Sequence, residues 1–127
     1  MINTLDISME IYNALYGVVS EHVYDETVGK ALPESIKDFV VYNIGSVRGV
    51  YDYDTGSIIK SHVVINCFAK DKANGIKNTA KLKEMIDNLI GVMVSMNGYR
   101  FSLSSIQMSS HKIGNYHGQS IIYNIIK

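Results

Sequence analysis

Four histidines and one cysteine are the residues of this chain that could ligate a metal ion or act as nucleophiles. Structural zinc sites usually combine closely spaced ligand pairs, whereas the nearest two histidines here are six residues apart and no Cys-x-x-Cys pair accompanies them: His22, His62, His111 and His117. We therefore expect no metal site. Cys67 lies in phase with Ile65 and Ala69 on a predicted strand, which favours a buried structural thiol over a reactive one.

Serine and glycine motifs of catalysis or phosphate binding are also absent from the sequence. Five serines lie between residues 102 and 110, yet none stands in a G-x-S-x-G nucleophile elbow. The glycine run of residues 45–49 (GSVRG) matches neither the G-x-G-x-x-G dinucleotide turn nor a P-loop. With no acid–base pair to nominate, we expect no catalytic residue and no cofactor, and we predict that the chain is not an enzyme.

Length and charge narrow the classes of protein further. The 127 residues are enough for one domain, expected to span residues 1–127, and twelve basic side chains balance twelve acidic ones. This balance gives no indication of a nucleic-acid partner. The longest apolar runs are only a few residues, too short for a membrane span. Asp6 and Glu10 near the start, without a basic stretch, indicate no signal peptide.

The balanced charge conceals an asymmetry along the chain. Residues 1–56 contain nine acidic and three basic side chains, a net charge of 3 − 9 = −6, and residues 57–127 contain nine basic and three acidic ones, 9 − 3 = +6. If the two halves mix in the fold, these charges share one surface. If they separate, the subunit is dipolar and could pair head to tail with copies of itself.

The elements that must position these residues follow from hydrophobic spacing. An apolar stripe predicts a first helix capped by Asp6: Ile7, Ile11, Ala14, Leu15 and Val18. A second stripe predicts a helix over residues 76–94, capped by Asn74 or Asn78: Ala80, Leu82, Met85, Ile86, Leu89, Ile90 and Met93. Short apolar or alternating runs predict strands at residues 22–24, 36–44, 57–70, 99–108 and 120–126.

Two details of the strands bear on the fold. Odd positions of the strand at 57–70 are mostly apolar and even positions mostly polar, so one face should pack under the second helix while His62 faces solvent. The apolar phase slips between Leu103 and Ile106, which a β-bulge would explain. Residues 111–119 are polar with two glycines, and we expect a loop there. Together, these elements predict an α+β two-layer sandwich, with two helices and a mostly antiparallel sheet of about four strands.

Residues 45–57 are typical of a hairpin arm that carries Tyr51 and Tyr53. Exposed tyrosines on such an arm would suit a protein interface, and the alternative is an arm that folds back to cover the core. Lysines around residues 70–83 form a local basic group, but the acidic residues Asp71, Glu84 and Asp87 interrupt it. A solvated helix face is therefore favoured over a phosphate-binding patch.

The order of these elements resembles the tail terminator, or tail completion, proteins of long-tailed bacteriophages and prophages. The resemblance runs through the helix IYNALYGVV, the strand FVVYNIG, the hairpin arm, the strand SHVVINCFAK, the helix KLKEMIDNLIGVM and two closing strands. It covers nearly the whole chain. Because the family is recognised by the order of its elements and its pattern of hydrophobic residues, the resemblance assigns no function to any individual residue.

The resemblance implies a structural role in a virion tail that is assembled in the cytoplasm of a bacterial host. Such proteins form a ring, usually a hexamer, that caps the tail tube, stops its polymerisation and joins the head connector. Partners would then be other copies of the chain, the tail tube protein and the head connector, with no membrane or direct nucleic-acid contact. On this interpretation, the residues expected at subunit or tube contacts are Arg48, Tyr51, Tyr53, Lys70 and Lys72. The alternatives are a head–tail connector component, or a small ligand-binding domain or enzyme with a dispersed site.

Overall fold

The fold of the chain is given by a computed structural model that describes residues 4–25, 36–44, 51–52, 57–58, 60–96 and 99–126. Two α-helices, one short 3₁₀ turn (Ala73–Gly75) and eight strands follow each other along these residues. In chain order the helices and strands are α1 (Thr4–Leu15), β1 (Val23–Asp25), β2 (Asp38–Ile44), β3 (Tyr51–Asp52), β4 (Ser57–Ile58), β5 (Lys60–Lys70), α2 (Thr79–Val92), β6 (Ser95–Met96), β7 (Tyr99–Ile113) and β8 (Tyr116–Ile126).

The main sheet contains six strands in the order β1-β2-β5-β8-β7-β6, and β3 pairs with β4 in a separate two-stranded ribbon. Among the strand pairs that the described residues form in this sheet, β1–β2 is parallel and the others are antiparallel. The predicted α+β class with a mostly antiparallel sheet is confirmed. The strand predicted at residues 22–24 is confirmed as β1. The predicted sheet of about four strands was too small, in part because β6 contains two residues, too few to produce a recognisable alternation.

Both helices pack on one face of the sheet, and this face forms the main core. Val63, Ile65, Cys67 and Ala69 of β5 are fully buried there, as their alternation predicted. Helix α2 covers them with its own apolar side chains, Leu82, Met85, Ile86, Leu89 and Met93. Two members of its predicted stripe lie outside the core, since Ala80 and Ile90 are exposed. The predicted alternative caps are resolved in favour of Asn78, whose side-chain oxygen accepts a hydrogen bond from the Lys81 amide at 3.2 Å.

Helix α1 ends earlier than its apolar stripe predicts. Ile7, Ile11 and Leu15 are buried against the sheet, but the helix stops at Leu15, and Gly17 takes a left-handed φ of 78°. The chain turns there, so Val18 points to solvent and Val19 enters the core in its place. The hydroxyl of buried Tyr42 donates to the main-chain oxygen of Ser8 at 3.0 Å, which ties α1 to β2.

The last two strands form one long hairpin, so the predicted loop at residues 111–119 was wrong. Strand β7 continues to Ile113, β8 starts at Tyr116, and the turn is confined to Gly114 and Asn115. Gly114 has a φ of 55°, a conformation that favours glycine. The predicted bulge is confirmed by the register shift between Leu103 and Ser105, and a second shift follows Gln107.

An aromatic cluster on the opposite face of the sheet explains why Gly118, the second glycine of residues 111–119, lies within a strand. The ring of Phe68 stacks on Phe39 with centroids 4.7 Å apart, and Tyr116 meets Phe39 edge-on at 5.2 Å. The Tyr116 hydroxyl donates to the Ile36 carbonyl at 2.7 Å. A Cβ atom at Gly118 would lie 2.5 Å from two Phe68 ring carbons. Glycine therefore stands inside β8 because the Phe68 ring occupies the space of a side chain.

Candidate subunit-contact surfaces

The predicted contact residues of the hairpin arm are only partly within the described chain. Tyr51 lies in β3, opposite Ile58 of β4, so a two-stranded arm precedes β5 as expected. Arg48 and Tyr53 lie outside the described residues. The arm belongs to its own ribbon and is not a strand of the main sheet.

The two predicted lysines lie at the other end of β5. Lys70 is its last residue, half-buried, and its amide donates to the Lys37 carbonyl at 2.8 Å. Lys72 is exposed in the following segment. Since β5 has 11 residues, its ends lie about 33 Å apart at ~3.3 Å per residue. Tyr51 pairs with Ile58, near the first residue of β5, so the structure does not bring it together with the lysines at the other end.

Asp71, between these lysines, is tied to the β7–β8 hairpin. Its carboxylate is in close contact with Nδ1 of His117, and the two side chains are 5% and 18% exposed. Its amide also donates to the Asn115 carbonyl at 2.7 Å. His117 thus fastens the hairpin turn to the end of β5. Within the described ranges, no three His, Cys, Asp or Glu side chains are grouped so that they could hold a metal ion.

Cys67 is buried in the core, as its phase predicted. Burial, with a smaller contribution from the Asp38 carboxylate, raises the pKa of its thiol to about 12. A thiol with such a pKa is almost entirely protonated at neutral pH, which opposes nucleophilic chemistry at this position.

A polar cleft of about 360 Å³ lies between the end of α1 and helix α2. Lys81 at its wall forms an ion pair with Asp38, with Nζ and Oδ2 3.5 Å apart. The Ser20 hydroxyl donates to the Asp38 carbonyl at 3.2 Å and accepts from the amide of His22 at 3.1 Å. The Ser20 proton is therefore directed to a main-chain oxygen and not to the His22 ring, so these two residues do not form a nucleophile–base pair.

An exposed apolar stripe along α1 and the residue that follows it is a surface that the sequence-based predictions missed. Met9, Tyr12 and Tyr16 are 61%, 39% and 52% exposed. The rings of Tyr12 and Tyr16 stack on each other with centroids 5.7 Å apart. The signal was present in the spacing, because these residues lie three and four positions apart and off the buried stripe. The three residues are called the α1 stripe below.

The outer edge of β7 is a second such surface. Strand β6 pairs only with Tyr99 and Arg100, and the Phe101 amide donates outward to the Val94 carbonyl at 3.0 Å. From residue 102 to residue 113 this edge has no strand partner in the described part of the chain. Leu103 and Ile106 beside it are 46% and 37% exposed. A long unpaired edge with apolar side chains is a template for strand addition.

The order of strands separates the two halves of the chain. Residues before position 57 contribute α1, β1 and β2 at one end of the main sheet, and residues 60–126 contribute its other four strands. In residues 4–25 and 36–44, one basic and five acidic side chains give 1 − 5 = −4, and these residues form the β1 end of the sheet. In residues 60–96 and 99–126, eight basic and three acidic side chains give 8 − 3 = +5, and these residues form α2 and the rest of the sheet. The ion pair between Asp38 and Lys81 lies where the halves meet.

Neither described helix is long and apolar enough to cross a membrane. No protein-family model and no curated protein matches the sequence. Among solved structures, the chain is similar to a chain from the "Virion of native gene transfer agent (GTA) particle", with a TM-score of 0.59 and 14% sequence identity. The superposition covers 91% of this chain and 90% of the other one. This similarity, over almost the full length of both chains, shows that they share a fold.

Proposed function

We propose that this chain is a structural, non-enzymatic subunit of a phage-like virion and, more specifically, a tail terminator that forms a hexameric ring on the tail tube. The observation that carries the proposal is the fold shared with a chain of a gene transfer agent virion over nine-tenths of both chains. The sequence layout independently resembles tail terminators through the two helices, the arm and the closing strands. Fold similarity alone does not specify function, so the two observations are needed together.

The distribution of charge and apolar surface supports a ring. In the described residues, the β1 end of the sheet is predominantly acidic and the β7 strand carries only basic charges, which suits a head-to-tail contact between identical subunits. Such heterologous contacts generate a closed ring when the rotation between subunits closes. The ring would cap the tube, stop the addition of tube subunits and offer its other side to the head connector.

Deletion of the gene in the strain that carries it tests the specific role. If the subunit stops tube growth, particles from the deletion strain will have tails of uncontrolled length, and electron microscopy will measure the distribution. A head–tail connector component gives a different result, with tails of normal length that are not joined to filled heads. Expression of the intact gene from a plasmid is the control and should restore a single tail length.

The oligomeric state of the purified protein tests the ring directly. We expect sedimentation and light scattering to show a closed oligomer of six chains, and negative-stain images to show rings. Because charge contributes to the proposed contact, the ring should dissociate more readily as the salt concentration rises. A protein that remains monomeric at high concentration in low salt would overturn the proposal.

A further inference from the structure

We propose that the open edge of β7 is the site at which a second copy of this chain docks, through its own β1 and α1 stripe. This inference rests on the proposed function, since it names the surfaces that join neighbours in the ring. Each copy would offer β7 to one neighbour and the β1 end to the other.

The first argument is the position of the two surfaces in the sheet. Strand β7 lies near one end of the sheet and β1 forms the other end, and in the described residues β1 pairs only with β2. The Phe101 amide points outward to Val94. Amides alternate in direction along a strand, so the Leu103 amide also points outward from the sheet. No strand among the described residues pairs with this edge at Leu103, and strand addition would supply an acceptor for its amide.

The second argument is the face on which the exposed apolar side chains lie. Leu103 pairs with Tyr123 and Ile106 with Ile121, and both partners are in the core beneath the helices. Leu103 and Ile106 are therefore on the helix side of the sheet, beyond the area that α1 and α2 cover. Helix α1 is on the same side and packs against β1 at the far end. Edge-to-edge joining of two sheets thus brings the α1 stripe of one copy toward Leu103 and Ile106 of the next.

The third argument is charge complementarity. Helix α1 and strand β1 carry three acidic residues and no basic one (Asp6, Glu10 and Asp25), and strand β7 carries two basic residues and no acidic one (Arg100 and Lys112). Contact between a β7 edge and a β1 end therefore joins opposite charges, whereas contact between two β7 edges joins like charges. Opposite potentials favour the head-to-tail orientation over the symmetric one.

A mixing experiment with two complementary variants tests this arrangement. Leu103→Asp places a negative charge on the β7 edge, and Tyr12→Lys places a positive charge in the α1 stripe, so each faces a like charge on its neighbour. Each variant alone should remain monomeric, with the dissociation constant raised by at least about 30-fold, as for an interface hot spot. An equimolar mixture should associate again, because one intact surface of each kind remains and because the two altered surfaces present a carboxylate and an ammonium group to each other.

Matched controls separate the contact from general effects of charge. Ile76 is 59% exposed and lies outside both surfaces, so Ile76→Asp and Ile76→Lys should form rings as the unmodified chain does. Circular dichroism and thermal unfolding verify that every variant is folded. In the mixture, hydrogen exchange of the Leu103 amide in the Tyr12→Lys subunit should slow by at least about tenfold relative to the monomer.

The outcomes distinguish this inference from the proposed function. If the unmodified chain forms rings and either variant also does, or if the mixture stays monomeric, the β7–β1 contact is wrong while the ring stands. If Leu103→Asp rings form but fail to attach to tail tubes, the β7 edge binds the tube protein and the proposed self-contact is overturned. If the unmodified chain is monomeric throughout, both proposals fail.

Discussion

Replacement of Gly118 by alanine gives a sharp test of the aromatic cluster that joins β5, β8 and β2. The new methyl carbon would lie 2.5 Å from Cδ1 and Cε1 of Phe68 and 3.0 Å from Cζ. Favourable carbon–carbon contacts are about 3.5–4.0 Å, so the ring would have to retreat by about 1 Å. It cannot do so freely, because its other face stacks on Phe39, whose neighbour Tyr116 is hydrogen-bonded to Ile36.

The expected cost follows from two opposing effects. Overpacking of a well-packed core costs about 1–3 kcal/mol. In the opposite direction, alanine reduces the conformational entropy of the unfolded chain, which stabilises the folded state by about 0.4–1 kcal/mol. We therefore expect Gly118→Ala to lower the free energy of unfolding by about 1–2 kcal/mol. At about 4 °C per kcal/mol for a domain of this size, Tm should fall by about 4–8 °C.

Urea unfolding followed by circular dichroism and tyrosine fluorescence is the assay, since the chain has nine tyrosines and no tryptophan. Gly91→Ala in α2 is the matched control: its Cβ would meet nothing within 4 Å, so it should raise stability by up to about 1 kcal/mol. In a Phe68→Leu background, Gly118→Ala should cost nothing. The reasoning is refuted if Gly118→Ala is neutral in the unmodified chain, or if its cost is the same in both backgrounds.

Three further predictions concern single residues. The pKa of the Cys67 thiol is higher in the folded chain than in the unfolded chain, so the unfolded chain loses the thiol proton first as the pH rises. Between about pH 9 and 12, the free energy of unfolding should therefore fall by up to ~1.4 kcal/mol more per pH unit than it does in Cys67→Ala. Equal pH profiles of the two proteins would contradict this. Asn78→Ala removes the cap of α2 and should cost about 1 kcal/mol in thermal unfolding, whereas Asn78→Asp should retain most of the stability. Tyr42→Phe removes the hydrogen bond to Ser8 and should cost about 0.5–1.5 kcal/mol in urea unfolding, and an unchanged midpoint would show that water replaces the bond without loss.

Helices and strands with a strong hydrophobic periodicity were predictable, because burial of one face requires apolar residues at regular intervals in the sequence. The alternation in β5 correctly indicated which side chains enter the core, and the stripe of α2 located the helix that covers them. The slip of phase after Leu103 correctly indicated a bulge. Local capping chemistry narrowed the start of α2 to two asparagines, and only the backbone path selected Asn78.

Elements that depend on long-range contacts were not predictable in this way. Residues 111–119 are polar and contain two glycines, a local pattern typical of a loop. They form strands because β8 pairs with β5 along its whole length and because the Phe68 ring fills the space beside Gly118. Strand β6 similarly takes its conformation from its neighbour β7, and its two residues are too few for a pattern.

The candidate contact surfaces show the same division. The sequence by itself determined the α+β class, the core faces of β5 and α2, the absence of a recognisable catalytic motif and the opposite charges of the two halves, because composition and period depend only on residue order. Tertiary structure decided where these charges lie, since strand order is set by pairing between distant residues. It also decided which apolar side chains stay uncovered, and this exposure is what identifies the α1 stripe and the β7 edge as surfaces for contact.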